Sequence, residues 1–134
     1  MAGATPSAGD EIRTGTLFRR IPNDADHWFE AENRPASYNF IQDNDDEYLS
    51  TQWSELTTPG RIFAQHPGAG LLEVPVAVFW EHGLRVTYEP KDGPDHVAVW
   101  GLKNPKTSLL KKLRKAVTRT WRPGTSELVQ DTSH

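Results

Sequence analysis

Five short clusters set donor-rich side chains beside large apolar ones: Arg19-Arg20 behind Leu17-Phe18, His27-Trp28, Arg34-Pro35-Ala36-Ser37, Leu49-Ser50-Thr51, and Asp95-His96 leading into Val97-Ala98-Val99-Trp100. The composition suits a pocket that holds a polar or anionic ligand. It equally suits a small core whose buried polar groups are satisfied internally. Arg19 and Arg34 are the candidate anion binders, because a guanidinium keeps its charge and grips phosphate or carboxylate through two parallel hydrogen bonds. The competing reading pairs Arg34 with Glu30 or another nearby acid. Ser37, Ser50 and Thr51 are candidates for orienting a ligand hydroxyl, although capping and turn bonding are the commonest fates of such residues. His96, at the mouth of an apolar strand, is the candidate catalytic residue as a proton donor or acceptor; a satisfied strand-end histidine is the alternative.

Several chemistries are disfavoured. No G-x-S-x-G turn supports a serine nucleophile. Cysteine is absent, which removes thiol catalysis, disulfides and Cys-based zinc sites. The five histidines show no i,i+4 pair with a Glu. The acidic run from Asp43 has Tyr48 where a calcium loop needs Gly and Ser54 where it needs Glu. With no phosphate-cradling Gly-rich loop either, no metal and no cofactor is expected.

These residues need elements to hold them. The chain expected is a disordered tail over residues 1–13, one α+β domain over 14–121, and a flexible tail over 122–134. A first strand runs from Thr14 to Ile21. Asn23 or Asp24 caps a short helix through Glu32, and Pro35 bars its extension. Ser37–Ile41 and Tyr48–Gln52 read as strands paired in a hairpin about the acidic loop, which brings Arg34 and Ser37 close to Ser50. Thr58 and Pro59 start a helix to Gln65. A strand to Val74, a helix from Pro75 to His82 and a strand from Leu84 to Tyr88 follow. Asp95–Leu102 is almost wholly apolar after His96 and reads as a central strand. Leu109, Leu110, Leu113, Ala116 and Val117 fall at helical spacing, and Pro105 ahead of them starts a basic helix that runs to Trp121. The resulting fold class is α+β: a small, mostly antiparallel sheet with three or four helices, the last one basic.

Charge is unevenly spread. Residues 1–60 hold eleven acids against four Arg, while residues 103–122 hold eight basic residues and no acid. Lys111, Lys112, Lys115 and Arg119 are therefore the candidate docking face for an acidic protein or nucleic acid, against a plainly solvated helix face. The net charge of -3 implies no whole-chain affinity for nucleic acid or anionic membrane. No apolar run reaches the ~20 residues of a membrane span. With no signal-like start either, a cytoplasmic protein is the default expectation.

At His27-Trp28, Arg34-Pro35-Ala36-Ser37, Phe40, Leu49-Ser50, Gly83-Leu84-Arg85-Val86, Pro90 and Asp95-His96-Val97-Ala98-Val99, the chain resembles a family of small uncharacterised bacterial proteins with a His-Trp, Arg-Pro-Ser-Ser, Leu-Ser-Val pattern and a late His-Ala. The resemblance spans about Leu17 to Leu102 and departs at Ala36, Thr51 and Val97. It implies a bacterial origin and an autonomous domain, with no activity attached. Arg19 and Ser50-Thr51 also resemble the first two elements of ADP-ribosyltransferase-like domains, whose late-strand Glu is replaced here by Asp95-His96. That resemblance implies an NAD-like or phosphate-bearing ligand. The expectation from residues and resemblance together is an Arg/Ser/His pocket for an anionic, nucleotide-like ligand; the alternative is an interaction module acting through the basic helix.

Overall fold

Leu17, Phe18 and Ile21 commit the first strand to burial on both faces, and it becomes the middle of the sheet. The computed structural model describes residues 6–42 and 46–132. Its strands are β1 (Thr16–Ile21), β2 (Trp28–Phe29), β3 (Arg34–Pro35), β4 (Leu49–Trp53), β5 (Gly70–Pro75), β6 (Arg85–Tyr88), β7 (His96–Trp100), β8 (Arg119–Trp121) and β9 (Leu128–Asp131). Three short helices join them: α1 (Pro59–Gln65), α2 (Val76–Glu81) and α3 (Thr107–Lys115). Seven strands form one antiparallel sheet in the order β6-β7-β4-β1-β5-β8-β9, and β2 and β3 form a separate hairpin.

This overturns the expectation of a small sheet with three or four helices. The molecule is mostly sheet, and the difference lies in β8 and β9. Arg119-Thr120-Trp121 and Leu128-Val129-Gln130-Asp131 are short and carry little apolar alternation. They become strands because β5 offers its open edge to β8, pairing Leu71 with Trp121 and Glu73 with Arg119. At the far edge Gly9 donates to the Tyr88 carbonyl, Tyr88 to that of Asp10, and Ile12 to that of Val86, which covers β6. Gly9 to Ile12 thus pair with β6, and Leu128–Asp131 with β8.

Three local expectations also fail. The basic helix expected from Pro105 to Trp121 spans only Thr107–Lys115, and Arg119–Trp121 is strand β8. The helix expected over Asn23–Glu32 is a turn, then β2 and a 3-10 turn over Glu30–Glu32. Asp24 Oδ1 accepts from the backbone N–H groups of Asp26 and His27 and from His27 Nδ1, which closes a turn and not a helix. The strand expected over Ser37–Ile41 is a 3-10 turn over Ser37–Phe40. Asn39, fully buried, donates from Nδ2 to the carbonyls of His27 and Ala36 at 2.8 Å each, and this side-chain bonding holds the turn.

Other elements match their signals. Thr58 Oγ1 accepts from Arg61 N at 3.2 Å and Pro59 opens α1. Pro75 precedes α2, and Gly83 follows its end. β7 lies inside the sheet, between β4 and β6 and one strand from the edge, with Val97, Ala98 and Val99 fully buried. On one face Leu17, Ile21, Leu49, Leu72, Val97 and Val99 pack with Phe79 of α2 and Leu110 and Leu113 of α3 to form the main core.

Candidate functional site

Side chains alternate across a strand, so the registers define the opposite face as well. Phe18 lies against Gln52 and Glu73, Arg20 against Leu71, Ser50 against Ala98, and Gln52 against His96. Phe18, Arg20, Ser50, Gln52 and His96 therefore share the face turned from the main core. Only part of that face is covered. Ile62 and Phe63 of α1 pack on Phe18, Leu71 and Trp121 as a second, smaller cluster. The rest is a cleft of about 600 Å³ between the end of α1 with the turn after it (Gln65 to Ala69) and the segment from Asp92 to His96 that leads into β7, with β1 and β4 as its floor. That size accommodates a small organic ligand.

One wall donates. Arg20 Nη1 donates to His66 Nδ1 at 2.9 Å. A guanidinium has no acceptor, so His66 receives at Nδ1 and, when neutral, carries its proton on Nε2. Burial, and then the Arg20 charge, push the His66 pKa down, with Asp95 opposing. The sign of the pH effect follows. A histidine whose folded pKa lies below its ordinary value of 6.5 leaves the unfolded chain holding more protons in that window. His66 thus contributes stability above about pH 6.5 that is lost as pH falls through its folded pKa. Denaturant melts from pH 8 to 5 should show His66→Asn losing less stability on acidification than wild type; parallel curves would contradict this.

The other wall accepts. Asp95 Oδ2 accepts from Gln52 Nε2 at 3.2 Å. Asp92 Oδ2 accepts from the Tyr48 hydroxyl at 2.6 Å, and burial together with this bond raises the Tyr48 pKa. Behind Asp92 lies His96, with only 6% of its surface exposed. Its Nδ1 donates to the Glu89 carbonyl at 2.9 Å, since a carbonyl only accepts. Its Nε2 is buried without a hydrogen bond among the described residues, 3.7 Å from Asp92 Oδ2.

The expected site residues divide. Arg19, Ser50, Thr51 and His96 all border the cleft, but they do not all act in it. Arg19 donates from Nε to the Asn39 carbonyl and from Nη1 to the Ser50 carbonyl, and it sits on the opposite face beside Leu72. The β1–β4 ladder stops at Phe18 and Gln52, and Arg19 bridges the strands beyond that point. Thr51 donates its hydroxyl to the Val97 carbonyl. The Ser50 hydroxyl has no partner among the described residues.

Arg34 and Ser37 lie outside the cleft lining. Arg34 pairs with Glu32 at 3.1 Å and covers the Phe29 ring. Ser37 sits in the 3-10 turn, so the hairpin that would have delivered it to Ser50 does not form. Of the basic docking face, Lys111, Lys112 and Lys115 are exposed on α3. Arg119 is not among them: it lies on β8 and pairs with buried Glu73.

Arg20, His66, Gln52 and Asp95 were not singled out as ligand groups. Arg20 and Asp95 stand beside residues that were. A one-residue change of strand phase separates Arg19 from Arg20, and Leu17-Phe18-x-x-Ile21 is apolar in both phases, so sequence alone leaves that choice open. His66 had no signal, as only the packing of α1 on Phe18 brings it to Arg20. No helix among the described residues is long and apolar enough to cross a membrane. The chain matches no family model, no curated protein and no solved structure.

Proposed function

We propose that the protein binds a small anionic ligand, phosphate-bearing and of nucleotide-like size, in this cleft. The Arg20 guanidinium, hydrogen-bonded to His66 beside the open face of β4, carries the reading. Two donor-only groups, Arg20 and the Nε2–H of neutral His66, stand in one wall near the Ser50 hydroxyl, and an anion is what such a wall lacks. Arg20 takes the role expected of Arg19. Ser50 orients a ligand oxygen, and His96, expected as a proton donor or acceptor, stands behind Asp92 and supports that wall.

A ligand bound only by the folded state raises its melting temperature. Pyrophosphate and nucleoside monophosphates at low salt are therefore expected to stabilise the protein against heat. Arg20→Gln should weaken that binding by at least tenfold, in line with the loss of a charge-assisted bond of roughly 1.5–3 kcal/mol. Arg20 is exposed, so the unliganded stability of the variant should stay within about 0.5 kcal/mol of wild type. Absence of stabilisation by every anion, or an unchanged affinity in Arg20→Gln, would remove the proposal.

A further inference from the structure

We infer that the cleft is bipolar and selects a phosphorylated ligand that carries a vicinal diol, with the anion at Arg20 and His66 and the diol at Asp95. The inference rests on the anion reading and adds the chemistry of the facing wall.

Asp95 is held firmly at the start of β7. Its backbone carbonyl accepts from Trp53 N at 2.9 Å, and its Oδ2 takes the Gln52 amide. Gln52 and Asp95 both line the cleft, and the hydrogen bond between them fixes the carboxylate there. Oδ1 has no hydrogen-bond partner among the described residues. It faces Gly93, where a Cβ would stand 3.6 Å away, and Gly93 has a φ of +142° that other residues rarely adopt. The backbone beside the free oxygen is thereby kept bare.

An ionised carboxylate only accepts hydrogen bonds. Asp95 repels a phosphate and calls for hydroxyl or ammonium donors. Arg20 and His66 make the reverse demand on the other wall. His66 and Asp95 line the same cleft, one on each wall. An inorganic anion satisfies one wall and is repelled by the other, and a neutral polyol satisfies only Asp95. A phosphorylated pentose satisfies both and fits a cleft of about 600 Å³. A diol suits this wall better than an ammonium group. The Ser50 hydroxyl on the cleft floor can both donate to and accept from a ligand hydroxyl, whereas an ammonium only donates.

Isothermal titration of the full chain at low salt tests this. The probes are adenosine 5′-monophosphate, its 2′,3′-dideoxy counterpart, phosphoethanolamine and inorganic phosphate. The ribose form is expected to bind at least tenfold more tightly than the dideoxy form. Asp95→Asn, whose amide oxygen can still accept from Gln52, should reduce that ratio to within about twofold and leave inorganic phosphate bound as well or better. Equal affinity of the two nucleotides for the wild-type protein would overturn the diol subsite while leaving the anion reading intact. Preference for phosphoethanolamine would overturn it in favour of an ammonium subsite. Full discrimination retained by Asp95→Asn would also overturn it. No binding of any phosphate-bearing probe would remove both readings. The wild-type comparison decides the matter even where the variant folds poorly.

Discussion

Arg119→Ala is expected to destabilise the protein by about 3 kcal/mol, the largest loss from any single basic residue, because it strands a carboxylate inside the sheet. Glu73 is only 5% exposed and lies directly opposite Arg119 in the β5–β8 register. Its carboxylate accepts from Arg119 Nε and from the Thr16 hydroxyl. The hydrogen bond to Glu73 raises the Arg119 pKa, and the guanidinium also covers the Trp121 ring. Removing Arg119 leaves Glu73 with one hydroxyl for its desolvated charge. The lower end of the range for a broken buried pair applies, since the Arg119 side chain is itself 30% exposed. The double variant Glu73→Leu with Arg119→Ala should recover most of the loss, because apolar replacement of both partners is often near neutral. Lys111→Gln, Lys112→Gln and Lys115→Gln, on the exposed face of α3, should each change stability by less than about 0.5 kcal/mol. Urea unfolding of the five proteins checks the pattern. A loss below about 1 kcal/mol for Arg119→Ala would mean that Glu73 is satisfied without it.

Phe18→Ala is expected to cost about 3–5 kcal/mol and, unlike a main-core truncation, to weaken the cleft as well. Phe18 is 2% exposed on the cleft face of β1. Trp121 meets its ring edge-on at 6.3 Å, and Ile62 and Leu71 complete the small cluster beneath α1. This cluster holds α1 against the sheet, and α1 delivers His66 to Arg20. Emptying it removes hydrophobic burial and loosens the helix that places the anion wall. Phosphate-bearing ligands should then bind more weakly in Phe18→Ala even under conditions where the variant is fully folded. Phe79→Ala, on α2 in the main core, should cost comparable stability and leave that affinity unchanged. Calorimetric titration alongside denaturant melts separates the two. Equal affinities in both variants would show that α1 does not position the site.

Elements with strong local chemistry were legible from sequence. Thr58-Pro59 fixes the start of α1, Pro75 and Gly83 bracket α2, and Leu110 and Leu113 define the packed side of α3. The unbroken run His96 to Val99 implied burial on both faces, which β7 has. In each case one side chain or one periodicity acts within a turn or two of the backbone it shapes, so the outcome depends little on the rest of the chain.

The tertiary structure alone decided the sheet size, the strand phase and the membership of the cleft. Arg119-Thr120-Trp121 is a strand only because β5 has an edge to fill. Asn39 turns Ser37–Phe40 away from extended structure by bonding to His27, twelve residues earlier. Arg20, not Arg19, lies on the cleft face of β1 because the main core claims Leu17 and Ile21 together, a choice that two apolar phases in β1 left open. His66 and Asp95 lie 29 residues apart in sequence and meet across a cleft that only the packing of α1 and the path of β7 create. The sequence by itself thus determined the elements whose signals act within a turn or two of the backbone they shape. Which polar groups face one another was decided by long-range pairing, because in a sheet a shift of one residue in phase carries every side chain to the other face.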